Sequence, residues 1–144
     1  MRDDLVEHLH RRYDRFFPGN VAIECDDGWY GIIDIVMSCM LMHTINREKS
    51  QVWAKKWIDI GEPDVSVPPS IDPISMVQIK EKFGSLRIVY RGGDEVVAGM
   101  ALMAESMSEI TCEICGNAGK MRYGRWIKTL CDQHHVERSL RSQD

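Results

Sequence analysis

Apolar residues recur at intervals of three and four in the first third of the chain, a spacing that predicts amphipathic helices. In residues 3–16 the apolar stripe consists of Leu5, Val6, Leu9 and Tyr13. Pro18 and Gly19 are expected to end this first helix, and residues 21–24 are expected to form a short extended segment. In residues 28–46 the same spacing predicts a second helix with one deeply buried face.

Polar residues mark the expected ends of the second helix. Asp26 and Asp27 precede it, and aspartate often caps a helix N-terminus with its carboxylate. His43 is expected near the other end, where the helix dipole favours a histidine side chain. Residues 47–60 are ambiguous, but they contain two tryptophans four positions apart and are consistent with a short third helix.

The periodicity changes to two in the middle of the chain. Residues 61–73 hold four of the five prolines and predict an irregular connection. In residues 75–91 apolar side chains alternate with polar ones on both sides of a turn at residues 83–85, which predicts a β-hairpin. Asp94 follows as the expected N-cap of a helix that continues to about residue 109.

The C-terminal part of the chain carries the most specific chemical signal. Cys112, Cys115, Cys131 and His134 form a C-x2-C-x15-C-x2-H pattern. Two residues between ligands allow a tight turn to direct both side chains at one ion, and Zn²⁺ favours four sulfur and nitrogen ligands in a tetrahedron. The pattern predicts one zinc ion, and the complete set of four ligands predicts a structural role rather than a catalytic one. His135 remains an alternative to His134 as the fourth ligand.

The residues around these ligands predict a small zinc-binding module. Residues 120–130 alternate loosely around Gly124, and residues 133–140 have a helical pattern. A tight turn that holds the first two ligands, called the knuckle here, is followed by a hairpin and by a second ligand pair on the first turn of a helix. This is the arrangement of a treble-clef zinc finger. We therefore predict an α+β fold, with helices and a β-hairpin or small antiparallel sheet in residues 1–110. A treble-clef-like module in residues 111–144 is expected to pack on it.

Composition and charge limit the classes of protein to which this chain can belong. With 44% hydrophobic and 28% charged residues, the chain has the composition of an ordinary globular protein. Its net charge of -4 argues against non-specific binding to duplex nucleic acid, which depends on many lysine and arginine contacts to phosphate. Residues 112–144 differ from the rest, with 6 basic and 4 acidic residues, and this small excess only slightly favours an anionic partner.

Several features of the sequence favour a cytoplasmic location. Charged residues follow Met1 directly, which argues against a secretory signal peptide. The most apolar run, residues 29–45, contains Asp34 and His43 and is predicted to be a buried helix instead of a membrane span. There are five cysteines, and three of them are clustered with a histidine, as is typical of metal binding in a reducing cytosol.

Other side chains are weaker candidates for function. A carboxylate site would use Glu24, Asp26, Asp27 and Asp34. Anchors for a protein partner would be Trp53, Trp57 and Trp126. The basic residues of the C-terminal module are Lys120, Arg122, Arg125, Lys128, Arg138 and Arg141. Most of the nine methionines are expected in the core. The sequence has no nucleotide-binding glycine loop, nucleophile elbow or metalloprotease helix motif.

Three parts of the chain together resemble a group of small proteins encoded by bacteriophages and prophages that carry a C-terminal CxxC and CxxH zinc motif. They are residues 23–30 (IECDDGWY), residues 77–87 (VQIKEKFGSLR), and residues 111–116 (TCEICG) with residues 126–131 (WIKTLC). The resemblance spans roughly residues 17–135. These phage proteins have no assigned enzymatic activity. The resemblance implies an accessory protein that acts on host machinery in the bacterial cytoplasm during infection.

Taken together, these features predict a non-enzymatic zinc-binding protein that modulates or inhibits a bacterial protein, such as an anti-phage defence enzyme. Two alternatives stay open. One is a nucleic-acid-binding zinc-finger protein that uses the basic C-terminal residues, and the other is an enzyme that uses the carboxylates between Glu24 and Asp34. Zinc is the only cofactor expected, no membrane partner is expected, and the oligomeric state stays open.

Overall fold

The computed structural model describes residues 1–141 of the 144-residue chain. Over these residues the fold is α+β, as predicted. The helices are α1 (Asp3–Arg12), α2 (Tyr30–Asp59), α3 (Glu95–Ser108) and α4 (Asp132–Arg141). The strands are β1 (Ile23–Glu24), β2 (Asp72–Lys82), β3 (Ser85–Gly93), β4 (Lys120–Arg122) and β5 (Lys128–Leu130). The predicted C-terminal module ends at residue 144, so its last three residues lie outside the described part.

The larger sheet is mixed, which corrects the expectation of a purely antiparallel arrangement. Strands β2 and β3 form the predicted hairpin, with Ile79 opposite Ile88. Strand β1 pairs in parallel with the other edge of β2, and Ile23 lies opposite Ile79. The segment between α1 and α2 runs in the same direction as β2, and this pairing buries Ile23 in the core. Strands β4 and β5 form a separate antiparallel pair.

Helix α2 is one continuous helix of 30 residues, so the prediction of a separate third helix over residues 47–60 was wrong. The stretch after residue 46 loses the apolar stripe, but it contains neither glycine nor proline until Gly61. Nothing in it therefore interrupts the backbone hydrogen bonds. Gly61 ends the helix with a φ of +91°, a conformation that glycine adopts readily.

The predicted caps of α2 were also wrong. Asp26 and Asp27 form no capping hydrogen bond, and a short 3-10 turn, Asp27–Trp29, leads into the helix instead. The carboxylate of Asp27 accepts hydrogen bonds from the backbone N–H and the Nε of Arg2, both at 2.7 Å. These contacts join the N-terminus of α1 to the start of α2. Helix α1 itself ends at Arg12, earlier than predicted, and a 3-10 turn at Asp14–Phe16 follows it.

One hydrophobic core joins α1, α2, α3 and the mixed sheet. Its fully buried side chains include Leu9, Phe16, Trp29, Ile33, Met37, Met40, Met76, Ile79, Leu86 and Val97. Helix α3 packs against β3, and α2 packs against α3. Ser108, at the end of α3, accepts a hydrogen bond from the backbone N–H of Leu86 at 2.8 Å, which fixes the helix to the sheet.

The segment from Asp27 to Asp59 is, within residues 1–141, the one helix long and apolar enough in composition to cross a membrane. A buried core helix can have the same length and composition. The side chains of Trp29, Ile33 and Met37 are fully covered by the rest of the protein, whereas Ile35 and Met42 are exposed. The segment therefore has the one deeply buried face that was predicted.

His43 lies in the middle of α2 rather than near its end, because the helix continues to Asp59. Its Nε2 lies 2.8 Å from Oδ2 of Asp94. The other carboxylate oxygen of Asp94 accepts hydrogen bonds from the N–H groups of Val96 and Val97, both at 3.1 Å, so Asp94 caps α3 as predicted. One carboxylate therefore connects α2 with the N-terminus of α3.

Asp94→Ala is expected to lower the free energy of unfolding by about 1–2 kcal/mol at neutral pH, because the cap is lost. The hydrogen bond with His43 lowers the pKa of Asp94 below its usual value. The charge of Asp94 therefore contributes stability above its unfolded pKa of about 3.9, and that contribution is lost as the pH falls through the lower folded pKa. Asp94→Asn keeps a capping side chain without the charge.

Urea denaturation of the wild type and Asp94→Asn, at neutral pH and at about pH 3, measures this contribution. We expect the stability difference between the two proteins to shrink at the acidic pH. A difference that stays constant or grows on acidification would contradict the assigned role of the charge.

Candidate metal centre

Two short segments supply the four predicted metal ligands. Cys112 and Cys115 lie in a turn that follows α3, whereas Cys131 directly precedes α4 and His134 lies in its first turn. The antiparallel pair β4–β5 connects these segments and brings them together. The folded chain thus gathers residues that are up to 22 positions apart in sequence around one point.

The four ligand atoms lie close enough together to surround a single metal ion. The Sγ of Cys131 lies 3.2 Å from Nδ1 of His134 and 4.0 Å from Sγ of Cys115. The Sγ of Cys112 lies 3.5 Å from the same Nδ1, and all four ligand atoms lie within 4.8 Å of one another. Zinc–ligand bonds of about 2.0–2.3 Å place tetrahedral ligand atoms about 3.3–3.8 Å apart, and the distances of 3.2, 3.5 and 4.0 Å lie within or close to that range. These four residues can therefore hold a metal ion.

The structure brings His134, and not its neighbour His135, to the three sulfur atoms. The Nδ1 of His134 faces Cys112 and Cys131, while its Nε2 lies 3.9 Å from a carboxylate oxygen of Glu137. The backbone N–H of His135 donates to the carbonyl of Cys131 at 3.0 Å as the helix begins. Because adjacent residues on a helix point in different directions, only one of the two imidazoles can reach the cluster.

The knuckle between the first two cysteines is closed by backbone hydrogen bonds. The N–H of Cys112 donates to the carbonyl of Asn117 at 2.7 Å, and the N–H of Gly116 donates to the carbonyl of Cys112 at 2.9 Å. Gly116 has a φ of +78°, a left-handed conformation that glycine adopts readily, so a glycine suits the position directly after the second ligand.

Local hydrogen bonds favour the thiolate form at Cys112. Burial alone would raise the pKa of this thiol, but backbone N–H groups, including those of Cys131 and Cys115, stabilise the thiolate and lower the pKa to about 7. Burial raises the pKa of Cys115. Cys25, which is buried outside the cluster, has a pKa raised to about 12 by burial and stays a protonated thiol at neutral pH.

The knuckle is packed directly against the start of α2. The N–H of Gly28 donates to the carbonyl of Glu113 at 2.7 Å, and the indole Nε1 of Trp29 donates to the carbonyl of Thr111 at 2.8 Å. On the other side, Thr129 of β5 donates its hydroxyl proton to the carbonyl of Gly84 at 2.6 Å. The start of α2, the tip of the β2–β3 hairpin and the metal-ligand segments therefore meet at one place.

Glu113 is a buried carboxylate that the sequence did not reveal as important. Its side chain is 1% exposed. Its Oε2 lies 2.8 Å from Nζ of Lys128, whose ammonium also lies 3.0 Å from Glu81. Burial raises the pKa of Glu113, and the ammonium of Lys128 opposes that rise. A glutamate between two cysteine ligands follows no distinguishing sequence pattern. Its burial and its contact with Lys128 are apparent only in the folded structure.

The carboxylates between Glu24 and Asp34 do not converge on one site. Glu24 accepts a hydrogen bond from Gln78 at 2.6 Å, and Asp27 binds Arg2. Asp34 accepts hydrogen bonds from Arg12 at 2.9 Å and from the hydroxyl of Tyr13 at 2.7 Å. The side chains of Glu24, Asp27 and Asp34 thus make separate contacts, Glu24 with β2 and the two aspartates with opposite ends of α1.

The basic residues of the C-terminal module are partly neutralised by carboxylates. Both Lys120 and Arg122 lie beside Asp132, and Lys128 lies between Glu81 and Glu113. Arg138 donates to the backbone carbonyl of Trp126 at 3.2 Å. Lys120, Arg122 and Lys128 therefore do not form an uncompensated basic surface.

No protein-family model, curated protein or solved structure matches this chain. The class of the protein is therefore defined by its own fold and site. It is an α+β protein in which three cysteines and one histidine form a cluster that can hold a metal ion.

Proposed function

We propose that Cys112, Cys115, Cys131 and His134 hold one structural zinc ion. Three sulfurs and one imidazole nitrogen are a donor set that suits Zn²⁺, and the distances among them are close to those around one tetrahedral ion. The knuckle, the β4–β5 hairpin and the ligand on the first turn of α4 support a treble-clef-like module. Four protein ligands leave no coordination position for a substrate, which favours a structural ion.

We further propose that the chain is a non-enzymatic interaction protein of the phage type, which binds and modulates a bacterial protein in the cytoplasm. A shallow apolar groove between α2 and α3, with a volume of about 20 Å³, is the observation that supports a protein partner best. The groove is lined by Ile32, Ile35, Val36, Cys39, Met100, Met103, Ala104 and Met107.

The outer residues of this groove are exposed, although they are large and apolar. Ile35 is 58% exposed and Met103 is 57% exposed, and Met107 also reaches the surface. Contiguous exposed apolar surface is typical of interaction sites, and methionine side chains adapt well to a partner. The prediction that most methionines lie in the core therefore fails on α3, where Met103 and Met107 face outward.

Capture of partners from bacterial lysate by the tagged, zinc-loaded chain tests this proposal. We expect a protein that is retained after nuclease treatment. Met103→Glu is expected to lower its recovery about tenfold or more, because a charge in an apolar interface is poorly solvated. Val136→Glu is the matched control, since Val136 is also an exposed apolar residue on a helix but does not line the groove.

Two results would contradict the proposal. Loss of every retained protein on nuclease treatment would favour nucleic acid as the partner. Equal recovery with Met103→Glu and Val136→Glu would exclude the groove as the contact surface.

A further inference from the structure

A second and larger cavity lies beside the metal centre, on the side of the β2–β3 hairpin. Its volume is about 660 Å³, which is in the range of small-molecule sites. The hairpin turn, the knuckle, strand β5 and helix α4 all contribute to it. Its most buried lining residues are Glu81, Glu113, Lys128 and Leu130, and its exposed apolar lining residues are Phe83, Ile114 and Trp126.

Phe83 is held at the edge of this cavity in an unfavourable backbone conformation. Phe83 and Gly84 form the two-residue turn between β2 and β3, with φ values of +54° and +82°. Two positive φ values define a type I′ turn, whose first central position favours asparagine, aspartate or glycine. A bulky residue at positive φ is an outlier, and such residues often occur at functional sites.

The aromatic rings at the cavity edge are exposed to solvent. The side chain of Phe83 is 66% exposed and that of Trp126 is 69% exposed. The carbonyl of Trp126 accepts a hydrogen bond from Arg138, which connects its loop to α4. Neither ring therefore packs in the hydrophobic core, and both are positioned to contact a flat ligand.

Charge is distributed unevenly within the cavity. Its buried end carries the carboxylates of Glu81 and Glu113 on either side of the ammonium of Lys128. Its more exposed lining carries the cations of Lys82, Arg138 and Arg141, together with the carboxylates of Asp26 and Glu137. A ligand that fits this pattern has hydrogen-bond donors at its inner end and negative charge at its outer end.

We propose that this cavity binds a nucleotide, with the base against Phe83 and Trp126 and the phosphate toward the cations of Lys82, Arg138 and Arg141. A nucleobase provides a flat ring that stacks on aromatic side chains, and exocyclic amino groups that donate to carboxylates. The phosphate provides the negative charge that the edge cations attract. The nucleotide can be free or an unpaired residue of single-stranded nucleic acid, since both present the same groups.

A protein side chain fits the cavity less well. An aliphatic or aromatic side chain would contact the exposed rings, but it would carry no negative charge to pair with the cations of Lys82, Arg138 and Arg141. A double helix is also a poor fit, because its bases are stacked inside and cannot reach side chains in a cavity. The observations therefore favour a single nucleotide over these alternatives.

Calorimetric titration of the full, zinc-loaded chain with the four ribonucleoside monophosphates, and separately with a short single-stranded oligonucleotide, tests the proposal. Binding of a monophosphate assigns the cavity to free nucleotides. Binding of the oligonucleotide alone assigns it to single strands, and the affinity should then fall as the salt concentration rises. Either result supports the proposal.

Two variants separate a ligand-binding role from a structural one. Phe83→Asn is expected to raise the melting temperature by about 2–5 °C, because asparagine suits the turn, and to weaken nucleotide binding about tenfold or more. Trp126→Ala is expected to weaken binding to a similar extent with no loss of zinc. Trp53→Ala is the control, because Trp53 is an exposed tryptophan that does not line the cavity.

Three results would overturn the proposal. One is the absence of binding by every nucleotide and by the oligonucleotide at about 1 mM ligand. Another is binding that Phe83→Asn and Trp126→Ala leave unchanged. The third is that no nucleotide binds and Phe83→Asn releases a protein captured by the wild type, which would make the cavity a protein-docking site.

Discussion

Cys112→Ser is expected to abolish stoichiometric zinc binding and to lower the free energy of unfolding by about 4 kcal/mol or more. Cys112 is fully buried, and its Sγ lies among the ligand atoms of the cluster. Serine has nearly the same volume as cysteine, so the substitution creates almost no cavity. The loss of stability therefore reports the loss of the metal ion. Because the knuckle also binds Gly28 and Trp29, the destabilisation should extend into the core at the start of α2.

The measurement combines zinc content after gel filtration with urea denaturation. Cys25→Ser is the matched control, since Cys25 is also a buried thiol but lies outside the cluster. It should lose some stability and keep its zinc. His135→Ala should likewise keep zinc, whereas His134→Ala should lose it. Full zinc content in Cys112→Ser, or loss of zinc in His135→Ala, would refute the ligand set.

The ligand cluster could be predicted from the sequence because its geometry is mostly local. Each ligand pair lies within one turn of the chain, and the hairpin and helix between and after the pairs have their own periodic patterns. Local signals also identified the β2–β3 hairpin and the N-cap at Asp94. In each of these cases the residues that determine the geometry lie within about one element of each other in sequence.

The features that the sequence did not reveal depend on contacts between distant segments. The parallel pairing of Ile23 with Ile79 joins residues that are far apart in sequence, and the residue pattern of neither strand indicates which strand it pairs with. The burial of Glu113 arises only when the knuckle meets Asp26 and Lys128. The length of α2 is a different case, since the absence of glycine and proline before Gly61 favours one long helix, whereas the lost apolar stripe after residue 46 favours an earlier end.

Contact between the knuckle and α2 also changes how the metal site relates to the rest of the protein. Separate modules joined by a linker would unfold independently, and zinc would then stabilise only its own segment. Here Trp29 belongs to the core and also donates a hydrogen bond to the residue before Cys112. We therefore expect zinc binding and the stability of the core to be coupled. Gly28 contacts the knuckle directly, so a substitution there tests this coupling.

Gly28→Ala is expected to lower the free energy of unfolding by about 3 kcal/mol or more, although Gly28 is not a metal ligand. A Cβ atom at this position would lie 2.5 Å from the backbone N of Gly116 and 2.6 Å from the carbonyl O of Glu113, and closer still to the carbonyl O of Cys112. All three atoms belong to the backbone of the knuckle, so no side-chain rotation relieves the overlap. The knuckle must move away from the start of α2.

Gly31→Ala provides the matched control for this substitution. Gly31 lies three residues further along, in the first turn of α2, and a Cβ atom there would meet nothing within 4 Å. Alanine should therefore stabilise the helix by about 0.5–1 kcal/mol. Urea denaturation and zinc content of the two variants test the coupling. A Gly28→Ala protein that binds zinc and is as stable as Gly31→Ala would show that the knuckle and the core are independent.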